Sequence, residues 1–187
     1  MAKDKKLLKK ASGGDIRAFE SLIARYEKLI YNIAYRIMNN PDDTMDICQE
    51  VYIKIYQNLY KCQSMDYLKN WICTVTHNAC MDELRKRTTK GKGDFVTVDI
   101  ENREFELVDT KPGSNPEDKM LNKELSETIQ QAMGELSDEH RALIVFRDIQ
   151  GLSYDDIAEI THTSLGTVKS RISRARGRLK KLLTGKL

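Results

Sequence analysis

The sequence predicts an all-α protein: two small helical domains joined by a flexible acidic linker, the C-terminal one a helix-turn-helix. Three observations predict it. Apolar residues recur at alternating spacings of three and four along nearly every patterned stretch. One long segment, Thr88–Asn115, has no helical period; Lys90-Gly91-Lys92-Gly93 opens it and Pro112-Gly113-Ser114-Asn115-Pro116 closes it. Ser153–Leu183 divides into a short amphipathic helix, a polar break and a longer basic helix.

In chain order, Asp15 caps a predicted helix that runs to about Asn39 and carries Leu22, Ile23, Ile30, Ile33 and Ile37 on one side. Asn39-Asn40 ends it, and Pro41 suits the first turn of the next helix, which extends to about Tyr60. A loop, Lys61–Asp66, leads to a third helix from about Tyr67 to Lys86. These elements form the first domain, residues 1–90, and residues 91–115 the linker. The second domain, residues 116–187, opens with a helix over about Glu117–Gly134. Ser137 caps another helix, and Gly151 ends it. Ser153 and Asp156 form a capping box for the short helix, and His162-Thr163-Ser164 makes the break.

The last helix has an apolar stripe of Leu165, Val168, Ile172, Ala175, Leu179 and Leu182. At 3.6 residues per turn the opposite face is Gly166, Ser170, Ser173 and Gly177, all small, flanked by Lys169 and Arg174. Thr167, Arg171, Arg176 and Arg178 lie nearer its margins. Small residues admit a close approach, and cations on either side meet phosphates, which fits a helix entering the major groove of DNA. An ordinary helical hairpin with a solvated basic face explains the charge but not the small residues.

Charge is divided along the chain. The 187 residues carry 31 Lys and Arg against 28 Asp and Glu, a net charge of +3. Gly166–Leu187 holds eight cations and no acid, and Arg85-Lys86-Arg87 with Lys90 and Lys92 forms a second basic cluster. Between them, Asp94–Asp118 has eight acids against Arg103 and Lys111. Two basic ends around an acidic middle imply two nucleic-acid surfaces and a connection that avoids nucleic acid. Neither a signal peptide nor a membrane span appears, and four cysteines without C-x-x-C pairing suit reduced thiols, so a cytoplasmic protein is expected. Cys73, His77 and Cys80 share a helix face but fall short of four zinc ligands; neither metal nor cofactor is expected. None of the common catalytic motifs occurs, and no enzyme activity is expected.

Two further groups have a plain reading and a functional one. Asp46, Gln49, Glu50 and Lys54 form a polar row, either a solvated face with a Glu50–Lys54 pair or a docking surface for a protein. Tyr56, Tyr60, Tyr67 and Trp71 surround the loop before a basic cluster, which suits stacking on unpaired bases. At helical spacing, aromatics more often pack, and the residues alone favour that reading.

Taken together these motifs resemble those of bacterial extracytoplasmic-function (group IV) RNA polymerase sigma factors, over nearly the entire chain. DICQEVYIKIY, residues 46–56, resembles the family's D-x-x-Q-E-x-[FY] segment. Trp71, Asn78 and Asp82 resemble its W-[LI]-x-x-[IV]-x-x-N-x-x-x-D helix. LSYDDIAEITHTSLGTVKSRISRARGRLK resembles its closing helix-turn-helix.

The resemblance implies a subunit that binds core RNA polymerase, selects promoters and helps open the DNA. It implies that Asp46, Gln49 and Glu50 face the polymerase clamp. The loop of Lys61, Cys62, Gln63, Ser64, Met65 and Asp66 captures a flipped base of the minus-ten element. Trp71, Asn78, Asp82 and Arg85 contact that DNA. Lys169, Ser170, Ser173 and Arg174 read the minus-thirty-five element, with Arg171 and Arg176 on its phosphates and Thr167 beside them. An anti-sigma factor is the expected regulator. The loop departs from the family, where Phe and Gly are frequent, in carrying Cys62, Gln63 and Met65. A free-standing dimeric operator reader is the main alternative that the helix-turn-helix alone allows.

Overall fold

The computed structural model describes residues 2–62, 64–89 and 116–185, and of 2–4, 66 and 116–122 the backbone alone. The linker expected over 91–115 and the loop residue Gln63 lie outside the described residues. What is described is helical, without strands.

α1 (Ala2–Ser12) was not expected. Leu8 and Ala11 are buried while Lys5, Lys6, Lys9 and Lys10 face out, and the helix stops at Gly13-Gly14, where Gly14 has φ 91°. Asp15 then caps α2 (Ile16–Ile23), its Oδ1 accepting from the Ala18 N–H at 3.0 Å. The single helix expected up to Asn39 is two. At Ala24–Tyr26 the amides of Arg25 and Tyr26 donate to the carbonyls three residues back, Leu22 and Ile23, and α3 (Glu27–Met38) begins after this turn. The apolar period runs in phase through this turn, so the spacing carries no trace of it.

Asn40 caps α4 (Pro41–Asn58) by accepting from the N–H groups of Asp42 and Asp43, with Pro41 in the first turn. A 3₁₀ turn (Leu59–Lys61) follows, then α5 (Met65–Thr89). The expected loop therefore narrows: Lys61 ends the 3₁₀ turn, and Met65 and Asp66 begin α5.

In the second half α6 (Pro116–Gly134) leads to α7 (Asp138–Ile144), capped by Ser137. α7 runs into a π-helical turn (Val145–Ile149), and Gly151 with φ 67° reverses the chain. The Ser153–Asp156 capping box forms at the start of α8 (Tyr154–Thr161). His162 takes the left-handed conformation, and Ser164 caps α9 (Leu165–Thr184).

Ile30, Ile33, Ile37, Val51, Ile55, Leu68 and Ile72 fill the core among α3, α4 and α5; Phe146, Ile157, Ile160, Val168 and Ile172 fill that of the second half. The sequence suggests separate bodies on a tether; here the halves touch, α3 packing on α6 and α7 and α5 on α7 and α8. Buried apolar residues of the two halves join in one continuous cluster, and polar pairs reinforce the seam. Arg141 donates to the carbonyls of Met133, Gly134 and Leu136 in its own half and to that of Ile37 across the seam. Gln130 Nε2 donates to Asn39 Oδ1 at 2.8 Å, and Asn70 Nδ2 to Asp156 Oδ1 at 2.5 Å. A Cβ at Gly134 would lie 2.9 Å from Asn39 Nδ2, so a larger residue there would displace the Asn39 amide that pairs with Gln130.

Candidate nucleic-acid interface

The last helix is oriented by its buried stripe. Val168, Ile172 and Ala175 are buried against the second core, and this rotation turns Gly166, Ser170, Ser173 and Gly177 outward. Lys169 and Arg174 are exposed beside them, as the sequence expected. Thr167, half-buried, donates its N–H to the capping Ser164 Oγ at 3.2 Å.

The marginal cations are braced. Arg171 pairs with Glu139 of α7 at 3.0 Å. Arg176 pairs with Asp148 of the π turn through two nitrogens, its Nε donating to Oδ2 at 3.1 Å. That hydrogen bond is the main reason the Arg176 pKa is raised. Arg147 and Tyr154 join the same surface: the Arg147 guanidinium lies 4.5 Å from the centre of the Tyr154 ring, and Lys169 Nζ lies 5.9 Å from it. The sequence reading missed Glu139, Arg147, Asp148 and Tyr154. A basic residue or an aromatic before a recognition helix is too common to single out without the fold.

The first half presents a different surface. Asp46 and Gln49 are exposed on α4, and Glu50 is half-buried and paired with Lys54 at 2.5 Å, the solvated-face pairing. Met45 and Ile53 are exposed on the same helix. Tyr60 and Tyr67 are 65% and 47% exposed, against the packing that the residues alone favour, whereas Tyr56, 44% exposed, packs its ring edge-on against Phe19 at 5.0 Å. Trp71 is half-buried and rests on the core. In the loop Cys62 is buried and its Sγ contacts the Ser64 carbonyl at 3.3 Å, while Lys61 is exposed and Ser64 and Met65 are half-buried. Asn78 is exposed, and Asp82 is bridged by Arg85 at 2.8 Å.

Cys48, Cys73 and Cys80 are buried. Burial pushes the Cys48 thiol up to about 11 and that of Cys73 to about 12, so both stay protonated near neutrality. His77 is pushed below its ordinary pKa by burial, its ring 5.7 Å from that of Phe146 across the seam. Among the described residues, no helix is long and apolar enough to cross a membrane.

Two clefts relate these groups. One, of about 480 Å³, lies at the seam and is lined by His77 and Arg85 of α5 and by Glu139, Thr163 and Arg171 of the second half. The other, of about 470 Å³, is lined by Glu50, Asp82 and Arg85, so the expected polymerase row and minus-ten residues border one groove.

A helix-turn-helix with an exposed basic face, joined to a helical unit with an exposed polar row and aromatics, is the arrangement of a sigma-70-type transcription initiation factor. Residues 22–89 match Sigma-70 region 2 and residues 126–179 match Sigma-70, region 4. The chain is 34% identical over 179 residues to the ECF RNA polymerase sigma factor SigW of Bacillus subtilis, covering 96% of each. It is 32% identical to the ECF RNA polymerase sigma-E factor of Escherichia coli K12, over 92% of this chain and 90% of that one. Its fold is similar to the sigma factor RpoE in complex with the anti-sigma factor NepR from Bartonella quintana. There the TM-score is 0.69 at 25% identity, over 90% of this chain and 98% of that one. The chain belongs to the extracytoplasmic-function sigma factors, and it directs RNA polymerase to promoters at the start of transcription.

Proposed function

We propose that the chain divides this task between its halves. Residues 1–90 dock on core polymerase through Asp46, Gln49 and Glu50. The same half handles the minus-ten element through Lys61–Asp66, Trp71, Asn78, Asp82 and Arg85. Residues 116–187 read the minus-thirty-five element: Lys169, Ser170, Ser173 and Arg174 at base edges, Arg171 and Arg176 at phosphates, Thr167 beside them. Residues 91–115 connect the two. The observation that carries this reading is the outward face of α9, small at Ser170 and Ser173 and flanked by exposed cations.

Working on a promoter requires the halves to part. Their two elements lie about 25 base pairs apart, or roughly 85 Å at 3.4 Å per pair. Arg85 and Arg171 line one cleft in the described arrangement and do not reach both elements together. The 26 residues from 90 to 115 span up to roughly 90 Å when extended, enough for the parted form. The Bartonella relative is bound to an anti-sigma factor, and a partner of that kind would regulate this chain. The protein works in the cytoplasm, as a specificity subunit without catalysis of its own.

The test is transcription with purified chain and core polymerase on genomic DNA. Initiation from a defined promoter set is expected, with dyes on the two halves moving apart when polymerase binds. Absence of any transcript, or palindromic footprints by the chain alone as a dimer, would overturn the reading.

A further inference from the structure

We infer that Tyr154 is a positioning residue for promoter choice: its ring holds Lys169 in the orientation with which it meets the minus-thirty-five element. This rests on the proposed role of α9 and deepens it.

Lys169, Ser173 and Arg176 follow one another at spacings of four and three and form one row of α9. The upper end of that row is tied to Tyr154, with Lys169 Nζ 5.9 Å from its ring centre. The lower end is tied to Asp148 through Arg176. A cation within about 6 Å of an aromatic centre is drawn to the negative face of the ring. Arg147 lies closer still to the same ring, at 4.5 Å, and donates to the Leu152 carbonyl, so with Arg176 three cations gather there, of which Arg176 is paired with Asp148. Such a cluster keeps a net positive charge and favours an arriving phosphate or base-edge acceptor.

The neighbouring row lacks this bracing. Ser170 Oγ donates to the Thr167 carbonyl, and Arg174 Nε reaches the Ser170 carbonyl at 3.4 Å; both partners belong to α9 itself. Tyr154 can act as a fixed platform because it is the first residue of α8, held inside the capping box that Ser153 and Asp156 close around the first turn. A four-carbon lysine stem has much rotamer freedom, and holding it before DNA arrives removes part of that ordering cost from binding.

The test uses full-length chain with core polymerase and competing promoter fragments that differ by one base pair across the minus-thirty-five element. Lys169→Ala identifies the position that Lys169 reads. Tyr154→Leu is expected to relax preference at that same position by about 2- to 5-fold, the worth of an exposed cation–π contact. It is expected to add nothing there in the Lys169→Ala background. Fluorinated phenylalanines at 154, which drain the ring face while keeping its shape, should lower the preference stepwise and serve if Tyr154→Leu does not fold. Equal weakening on every fragment, full additivity with Lys169→Ala, indifference to fluorination, or a Lys169→Ala protein with unchanged base preference would each overturn the inference. Wild-type holoenzyme selecting the parent promoter in the same assay separates that failure from failure of the underlying function.

Discussion

The two halves hold their working side chains in opposite ways. In the second, Arg171, Arg176 and Lys169 are each tied to a residue from another element: Glu139, Asp148 and Tyr154. In the first, Asp46, Gln49, Tyr60 and Tyr67 stand out from helix surfaces and a short turn. On the proposed roles, the difference suits the two targets. A duplex groove is a regular object, and a prearranged surface meets it at small entropic cost. Unstacked bases have no fixed arrangement until they are bound, and aromatics with room to move can receive them.

The largest expected break in this contrast lies at Arg141. Its guanidinium is buried and serves four carbonyls, including Ile37 across the seam. Arg141→Met strands those acceptors and should cost about 3–5 kcal/mol in urea unfolding. Phe146→Ala empties the centre of the second core and should cost about 3–5 kcal/mol. A change confined to the second half would show that each core stands alone; loss of both transitions together would show one cooperative body.

Reading should respond more gently. Arg174→Ala is expected to cost about 1–3 kcal/mol at one base position, measured by promoter competition. Arg176→Ala should weaken binding on all promoters alike and lower the salt slope by about one.

The smallest effect concerns pH at the seam. Burial lowers the His77 pKa, with Asn78, His162, Arg85 and Asp82 acting on it in lesser measure. The folded state holds His77 neutral while the unfolded chain takes up a proton below about 6.5. Stability is therefore full above that value, falls as pH drops below it, and levels off beneath the lowered folded pKa. His77→Gln should flatten this part of a thermal-unfolding profile.

Much of this was legible in the sequence. Several helix starts were announced by side chains that make local bonds: Asp15, Ser137, Ser153 and Ser164 all cap as local chemistry requires, and Asn40, expected only to end the helix before it, caps the next. The reading face of α9 followed from its stripe, because burial of Val168 and Ile172 fixes the rotation of the helix. The turn at Ala24–Tyr26 was hidden because the apolar period continues through it. The braces on Arg171, Arg176 and Lys169 were hidden because they join residues distant in sequence, and no local rule pairs position 148 with 176. The same holds for the seam, where Asn70 meets Asp156.

Arg36 carries a consequence of its own. Its Nη1 donates to Gln130 at 3.3 Å, while its Nε is buried and finds no acceptor. Burial also lowers its pKa, the mark of a charge held away from water. An orphaned donor costs about 1–3 kcal/mol, which hydration returns once water reaches it. Parting the halves would give this donor water, so part of the cost of separating them would be offset at Arg36. An acid placed opposite Arg36 would give that donor a partner within the folded chain and hold the two halves more firmly together.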